Sequence, residues 1–269
     1  WATKVPYKDK QKELVAYTDC TAIDNGWVWN IPLWDRIGTG YVYSDKFISD
    51  EDALKQFKEH INNDEIEAKN IKMKIGLYER IWVKNVCAIG FAAGFIEPLE
   101  SNGLYTVHQF LVKLLRVLQK ESVSRYAIDH FNESCKKQFR SFSEFVSLHY
   151  ALTEREDTEY WKQLHNKEYP LQLDYLQNYK GFQDYITCKM DNFHYPKEGG
   201  FHCIATGMNW YPTELVSIRH GLQIYETDML KTLWKGALDN LEEKKKRWNL
   251  TAQTKDSYID YLNKSIYKA

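Results

Sequence analysis

From Leu104 onward the apolar residues fall at Leu104, Val107, Phe110, Leu111, Leu114, Leu115 and Leu118. That three-and-four spacing predicts a helix beginning at about Ser101, running to about residue 120 and burying this face. Residues 13 to 47 follow a different rhythm, the two-residue alternation of strands. A strand over 16–23 leads to a turn at Asp24-Asn25-Gly26, where Asn-Gly is a strong hairpin signal. The next strand covers 27–33 and a third covers 38–43, which together predict an antiparallel meander. The opening segment, residues 1 to 7, also has strand character and lacks an initiator methionine; the expectation is that a further N-terminal half belongs upstream of it.

Ser49 with an acid three residues on, Asp52, resembles a capping box and starts a helix that turns Ala53, Leu54, Phe57 and Ile61 inward. A polar stretch at 62–70 closes it. Strand-like residues at 71–82 and a short strand at 85–89 lead through Gly90 and Gly94 into the long helix. A helical pattern resumes from Arg125 to about Leu152, with Phe139, Phe142, Phe145, Val146 and His149 on or near its buried side. His108 and His149 read as helix-face histidines serving packing or hydrogen bonding. The charged stretch 153–158 is a break before Tyr160-Trp161. An irregular aromatic segment at 191–212 suits either a pocket wall or a loop packed on the core. An amphipathic helix over 230–250 ends the pattern, with Lys244-Lys245-Lys246-Arg247 as its solvated last turn. The fold class is α+β, with a sheet-rich part over 1–100 and a mainly helical part over 101–269 forming one continuous unit.

Composition narrows the function. The 269 residues carry a net charge of −1 with 27% charged residues, whereas a nucleic-acid binder normally has a basic excess. The five cysteines are scattered and no pair has metal-ligand spacing, so the reading is reduced thiols in a cytoplasmic protein with no metal. No apolar run reaches membrane-spanning length. There is no HExxH, CxxC, GxSxG or phosphate-binding GxxxxGK motif, and Gly38-Thr39-Gly40 lacks the third glycine of a dinucleotide fingerprint.

Chemistry concentrates at the start of the long helix, in Phe95-Ile96-Glu97-Pro98-Leu99-Glu100-Ser101-Asn102-Gly103. Ser101 suits an N-cap, leaving backbone N–H groups of Asn102 and Gly103 without partners inside the helix. With the positive end of the helix dipole behind them, those donors suit an anion, and Gly103 lets a ligand approach closely. Two carboxylates, Glu97 and Glu100, flank Pro98-Leu99. They fit chemistry beside an anion, or, on spacing alone more often, a helix start whose acids merely complement the dipole. Trp27, Trp29 and Ile31 share one strand face, either as core or as a rigid wall for a flat ligand.

Longer motifs carry more. Trp27-Val28-Trp29-Asn30-Ile31-Pro32 fits WxWxIP, and Phe95, Pro98, Ser101 and Gly103 fit FxxPxxSxG within a segment similar to EPLESTG. Together they resemble the flavin-dependent halogenases of the tryptophan halogenase family. The resemblance extends to Gly38-Thr39-Gly40-Tyr41-Val42-Tyr43-Ser44, Asn85-Val86-Cys87-Ala88-Ile89-Gly90, and His149-Tyr150-Ala151-Leu152 with Arg155-Glu156-Asp157-Thr158. It covers residues 1–160 clearly and the rest loosely.

The resemblance implies the antiparallel-sheet portion of a flavin-monooxygenase-like fold, and a reaction in which reduced FAD (FADH2), oxygen and a halide ion give hypohalous acid. The oxidant then travels through a tunnel to an electron-rich aromatic substrate. It places the family's glutamate on Glu100, as catalytic residue, and its halide site on the N–H groups of Asn102 and Gly103. Ser101, Pro98, Phe95, Trp27, Trp29, Ile31 and Pro32 fall on the flavin and tunnel side. A flavin reductase and a small aromatic substrate are the implied partners, with no nucleic acid and no membrane; a homodimer is compatible with it. Asn102 departs from the threonine of many relatives. The family's GxGxxG segment and catalytic lysine have no counterpart in these residues, so the chain alone is expected neither to hold FAD tightly nor to halogenate. The residues 189–195 show no match to the indole-binding stretch of tryptophan-specific members, which leaves an indole, a phenol or a carrier-bound arene open. A hydroxylating flavin monooxygenase and a non-catalytic binding module are the alternatives.

Overall fold

A computed structural model describes residues 1–165, 200, 203–204, 207–209 and 227–267. The chain forms two units, one of residues 1–69 and 212–269 and one of residues 70–211. The aromatic segment 191–212 lies almost wholly outside the described residues.

In the first unit, β1 (Ala2–Val5), β2 (Asp19–Ile23), β3 (Gly26–Pro32) and β4 (Ile37–Tyr43) form an antiparallel sheet in the order β1-β4-β3-β2. Ile23 pairs with Gly26, so Asp24-Asn25 make the hairpin turn that the sequence predicts. A short helix α1 (Lys10–Glu13) lies between β1 and β2. Strand alternation sends Val28 and Tyr41 to the face covered by α2 (Asp50–Ile61), where both pack with Ala53 and Phe57 in one buried cluster. The Ser49 hydroxyl caps α2 by accepting from the Asp52 N–H, and Asn62 closes it in the left-handed conformation, φ 52°.

Trp27, Trp29 and Ile31 take the opposite face of the sheet. Trp27 is buried, while Trp29, Ile31 and Pro32 are half-buried. The glycine pair on β4 has its reason here. A Cβ on Gly40 would stand 2.4 Å from Trp29 Cζ2, and one on Gly38 would stand 3.6 Å from Trp29 Cζ3. Gly38-Thr39-Gly40 is thus a bare strip of strand on which the Trp29 indole lies.

The unit also contains α6 (Thr227–Thr254), α7 (Tyr258–Tyr261) and a π turn over Leu262–Ile266. Lys244-Lys245-Lys246-Arg247 is not the last helical turn; α6 continues through Thr254 because no glycine or proline stops it. The basic run is an exposed turn within the helix, and Lys245 pairs with Glu242 at 2.8 Å. Trp34 stacks on Tyr267 with ring centroids 4.4 Å apart, and the Lys10 ammonium lies 3.4 Å from the Trp34 ring centroid. Among the described residues no helix is long and apolar enough to cross a membrane.

The second unit is built from short strands and long helices. β5 (Gly76–Leu77) pairs with β8 (Gly94–Phe95), and β6 (Trp82–Val83) pairs with β7 (Val86–Cys87). The strand-like stretch 71–82 is therefore mostly irregular, as is 88–93 apart from a 3-10 turn at Gly90–Ala92. Two long helices follow, α3 (Asn102–Leu118) and α4 (Arg125–Ala151), and, after the charged break, the short α5 (Glu159–His165). Asn132 on α4 fixes the β6–β7 hairpin. Its Oδ1 accepts from the Ile81 and Trp82 N–H groups at 2.8 and 2.9 Å, and its Nδ2 donates to the Trp82 and Ile128 carbonyls.

The face that α3 buries is narrower than its apolar arc. Thr106, Phe110 and Val117 are buried and Leu114 packs at the edge of the cluster, whereas Leu104, Leu111, Leu115 and Leu118 are exposed. The residues on the buried and exposed arcs are both apolar, so periodicity alone cannot choose between them.

Candidate functional site

The loop from Ile96 to Ser101 joins β8 to α3. Ile96 anchors it in a cluster with Phe139 and Val146 of α4, against which Leu99 and Tyr150 also pack. Phe95, just before it, meets Phe91 edge-on at 4.9 Å. The Pro98 carbonyl accepts from the Ser101 N–H at 2.9 Å, which tightens the loop into a turn at the helix start.

Ser101 occupies the N-cap position without capping. Its backbone is left-handed, φ 49° and ψ 28°, and its side chain makes no cap hydrogen bond. A left-handed conformation costs an L-residue about 1–2 kcal/mol, so packing of the loop holds this one in place. The expected side-chain cap is absent because a capping hydroxyl needs extended backbone, as Ser49 has with φ −68° and ψ 160°.

The consequence is an open helix start. Among the described residues no hydrogen bond occupies the Asn102 or Gly103 N–H. Asn102 is 6% exposed, and its Nδ2 is a buried donor with no partner. A Cβ built on Gly103 would meet nothing within 4 Å. A buried amide left unpaired costs about 1–3 kcal/mol, and free backbone N–H groups at a helix start are the kind of donors that suit an anion.

Two consecutive residues of α4 hold the two carboxylates of the loop. The Tyr150 hydroxyl lies 2.9 and 2.8 Å from the two oxygens of Glu97. Burial pushes the Glu97 carboxyl up to about 7, against the opposing effects of the Tyr150 hydrogen bond and of His149. His149 Nε2 lies 2.8 Å from Glu100 Oε1. Glu100 reaches from an exposed loop position, so its carboxylate faces solvent on one side and the imidazole on the other.

Phe95, Pro98, Glu100, Ser101, Asn102 and Gly103 thus sit on one loop and helix start of the second unit, while Trp27, Trp29, Ile31 and Pro32 belong to β3 of the first. His149 makes hydrogen bonds, as the helix-face reading allowed, but its pairing with Glu100 and that of Tyr150 with Glu97 were not expected from the sequence. The His149-Tyr150-Ala151-Leu152 match marks this segment without indicating either partner. Among the described residues no group of His, Cys, Asp and Glu could hold a metal ion.

Comparison with known proteins gives a consistent answer. The tryptophan halogenase family model matches residues 1–221. The tryptophan 6-halogenase ThaL of Streptomyces albogriseolus is 29% identical over 227 residues, 78% of this chain and 42% of that protein. Among solved structures, apo VirX1 superposes with a TM-score of 0.79 at 32% identity, covering 100% of this chain and 52% of that one. The tryptophan 6-halogenase SttH of Streptomyces toxytricini gives 0.75 at 26% identity, covering 97% and 50%. The chain therefore spans about half the length of these relatives or less. It belongs to the tryptophan halogenase family.

Proposed function

We propose that this chain supplies the halide-binding and substrate-side half of an FADH2-dependent halogenase acting on an electron-rich aromatic compound. The observation that carries this reading is the open start of α3, where a buried, unpartnered Asn102 amide and two free backbone N–H groups stand beside Glu100. A halide fits those donors. It is a spherical anion that accepts from several N–H groups at once, and the space over Gly103 is open.

Oxygen, meeting reduced FAD provided by a flavin reductase partner, would supply the oxidising equivalent. This chain's residues do the rest. Asn102 and Gly103 bind the halide, the left-handed Ser101 keeps their N–H groups unblocked, and Pro98 with Phe95 shapes the flavin side of the loop. Glu100 polarises the hypohalous acid or accepts the ring proton, a task that needs a carboxylate within hydrogen-bonding reach. Trp27, Trp29, Ile31 and Pro32 belong to the tunnel wall in this reading. The names of the relatives point to tryptophan; indoles and phenols remain within the same class of electron-rich arene.

The test is to join this chain to the flavin-binding portion of the enzyme, add FAD, a flavin reductase and bromide, and screen indoles and phenols by mass spectrometry. Brominated product that disappears in Glu100→Gln is the expected result. Hydroxylated product independent of halide would move the chain to the aromatic monooxygenases, and an inert, flavin-free complex would leave a binding module.

A further inference from the structure

We propose that His149 is a positioning residue that holds the Glu100 carboxylate through a single shared proton. The inference rests on the halogenase reading only for its consequence in catalysis; the proton count stands on geometry. His149 Nδ1 lies 3.1 Å from the Phe145 carbonyl and 3.3 Å from the Val146 carbonyl of its own helix. A carbonyl oxygen can only accept, so Nδ1 carries hydrogen. The other ring nitrogen, Nε2, faces Glu100 Oε1 at 2.8 Å. A bare imidazole nitrogen and a bare carboxylate oxygen are both acceptors and would repel at that distance. One proton therefore lies between them, on the imidazole or on the carboxyl.

The ring has little freedom to escape this arrangement. Phe145 packs edge-on against it at 5.4 Å, and the side chain is 17% exposed. Glu100 gains from this. A glutamate on an open loop loses rotamer entropy when one orientation is selected, and a partner that fixes it beforehand removes that cost from the reactive complex.

The same chain contains an internal control. His165 places Nδ1 3.0 Å from the Thr153 carbonyl and Nε2 2.8 Å from Glu156 Oε1. It has the same proton logic at the break between α4 and α5, away from the α3 start in sequence and chemistry.

The experiment uses the chain labelled with 15N-histidine and long-range proton–nitrogen correlation spectra. His149 is expected to show a protonated Nδ1 throughout, and its Nε2 signal is expected to move in Glu100→Gln while the His165 signals stay in place. An unprotonated Nδ1, or a His149 Nε2 signal indifferent to Glu100→Gln, would overturn the proposal without touching the halogenase reading. A second arm uses the chain joined to its flavin-binding portion. His149→Ala is expected to lower kcat about tenfold or more with little change in KM, and His149→Gln, which returns a donor near the Nε2 position, is expected to recover most of it. Full activity in His149→Ala, with Glu100→Gln inactive, would leave Glu100 in its role and remove His149 from it. Full activity in Glu100→Gln would instead sink the reading of the site, and the spectra would still decide the pairing.

Discussion

Two helix starts at a serine, those of α2 and α3, do opposite things. At α2 the Ser49 hydroxyl accepts from the Asp52 N–H, the backbone is extended, and the helix end is closed. At α3 Ser101 is left-handed, its hydroxyl caps nothing, and the donors of Asn102 and Gly103 are left open. Ser124 and Ser257 follow the first pattern, each accepting from the N–H three residues on. The buried asparagines divide in the same way. Asn132 satisfies its amide with bonds to Ile81, Trp82 and Ile128, whereas the Nδ2 of Asn102 has none. Closed polar groups build the scaffold; the open ones at the start of α3 carry the proposed halide site, while Thr39 Oγ1 and Gln138 Oε1 are also buried without a partner among the described residues.

The sharpest way to separate these roles is to remove each group. Glu100→Gln is expected to lower halogenation by the assembled enzyme by about 10²-fold or more while leaving the thermal midpoint of the chain within a degree or two; unfolding of the variant would mean that Glu100 belongs to the scaffold. Asn132→Ala should do the reverse. It strips the Ile81 and Trp82 N–H groups of their acceptor and should cost roughly 3 kcal/mol in urea denaturation. Asn102→Ala removes a donor that has no partner, so its stability should be unchanged or higher while halide affinity falls several-fold. A stability loss as large as that of Asn132→Ala would erase the distinction.

Glu97 gives a comparison in pH. Burial raises its carboxyl to about 7 in the folded chain, so the folded state holds a proton that the unfolded state has already released between the ordinary glutamate range and about 7. The resulting stability is fully present below that range and is lost as pH rises through it. Glu97→Gln should flatten this part of the curve, as read from denaturation midpoints across pH. The smallest expected effects are at the caps. Ser49→Ala should cost about 1 kcal/mol, Ser101→Ala nearly nothing, and Ser101→Gly should stabilise by about 1 kcal/mol because glycine accepts the left-handed backbone.

The legible parts of this chain were those where one local rule decides. The Asn-Gly turn, the alternation of β3 and the Ser49 cap each depend on neighbouring residues only, and the meander strands β2, β3 and β4 and helix α2 lie within a residue or a few of where the pattern puts them. The α3 face was not legible, because Leu104, Leu111, Leu115 and Leu118 are as apolar as the residues buried beside α4. Nor was the conformation of Ser101, since a serine before a helix ordinarily caps it and only tertiary packing forces φ positive. At the site, the loop residues were found from the motif, but the grip of His149 and Tyr150 joins positions about fifty residues apart. No local pattern reports such a contact.

The central claim is that the start of α3 is open because it receives a halide. Its most direct test is a bromide titration of the 15N-labelled chain, following the Gly103 amide and the Asn102 side-chain NH2 alongside the Ser49-capped start of α2. The account predicts that the Asn102 and Gly103 signals move together and saturate while the Asp52 amide stays fixed. Signals that move equally at both helix starts, or at neither, would contradict it.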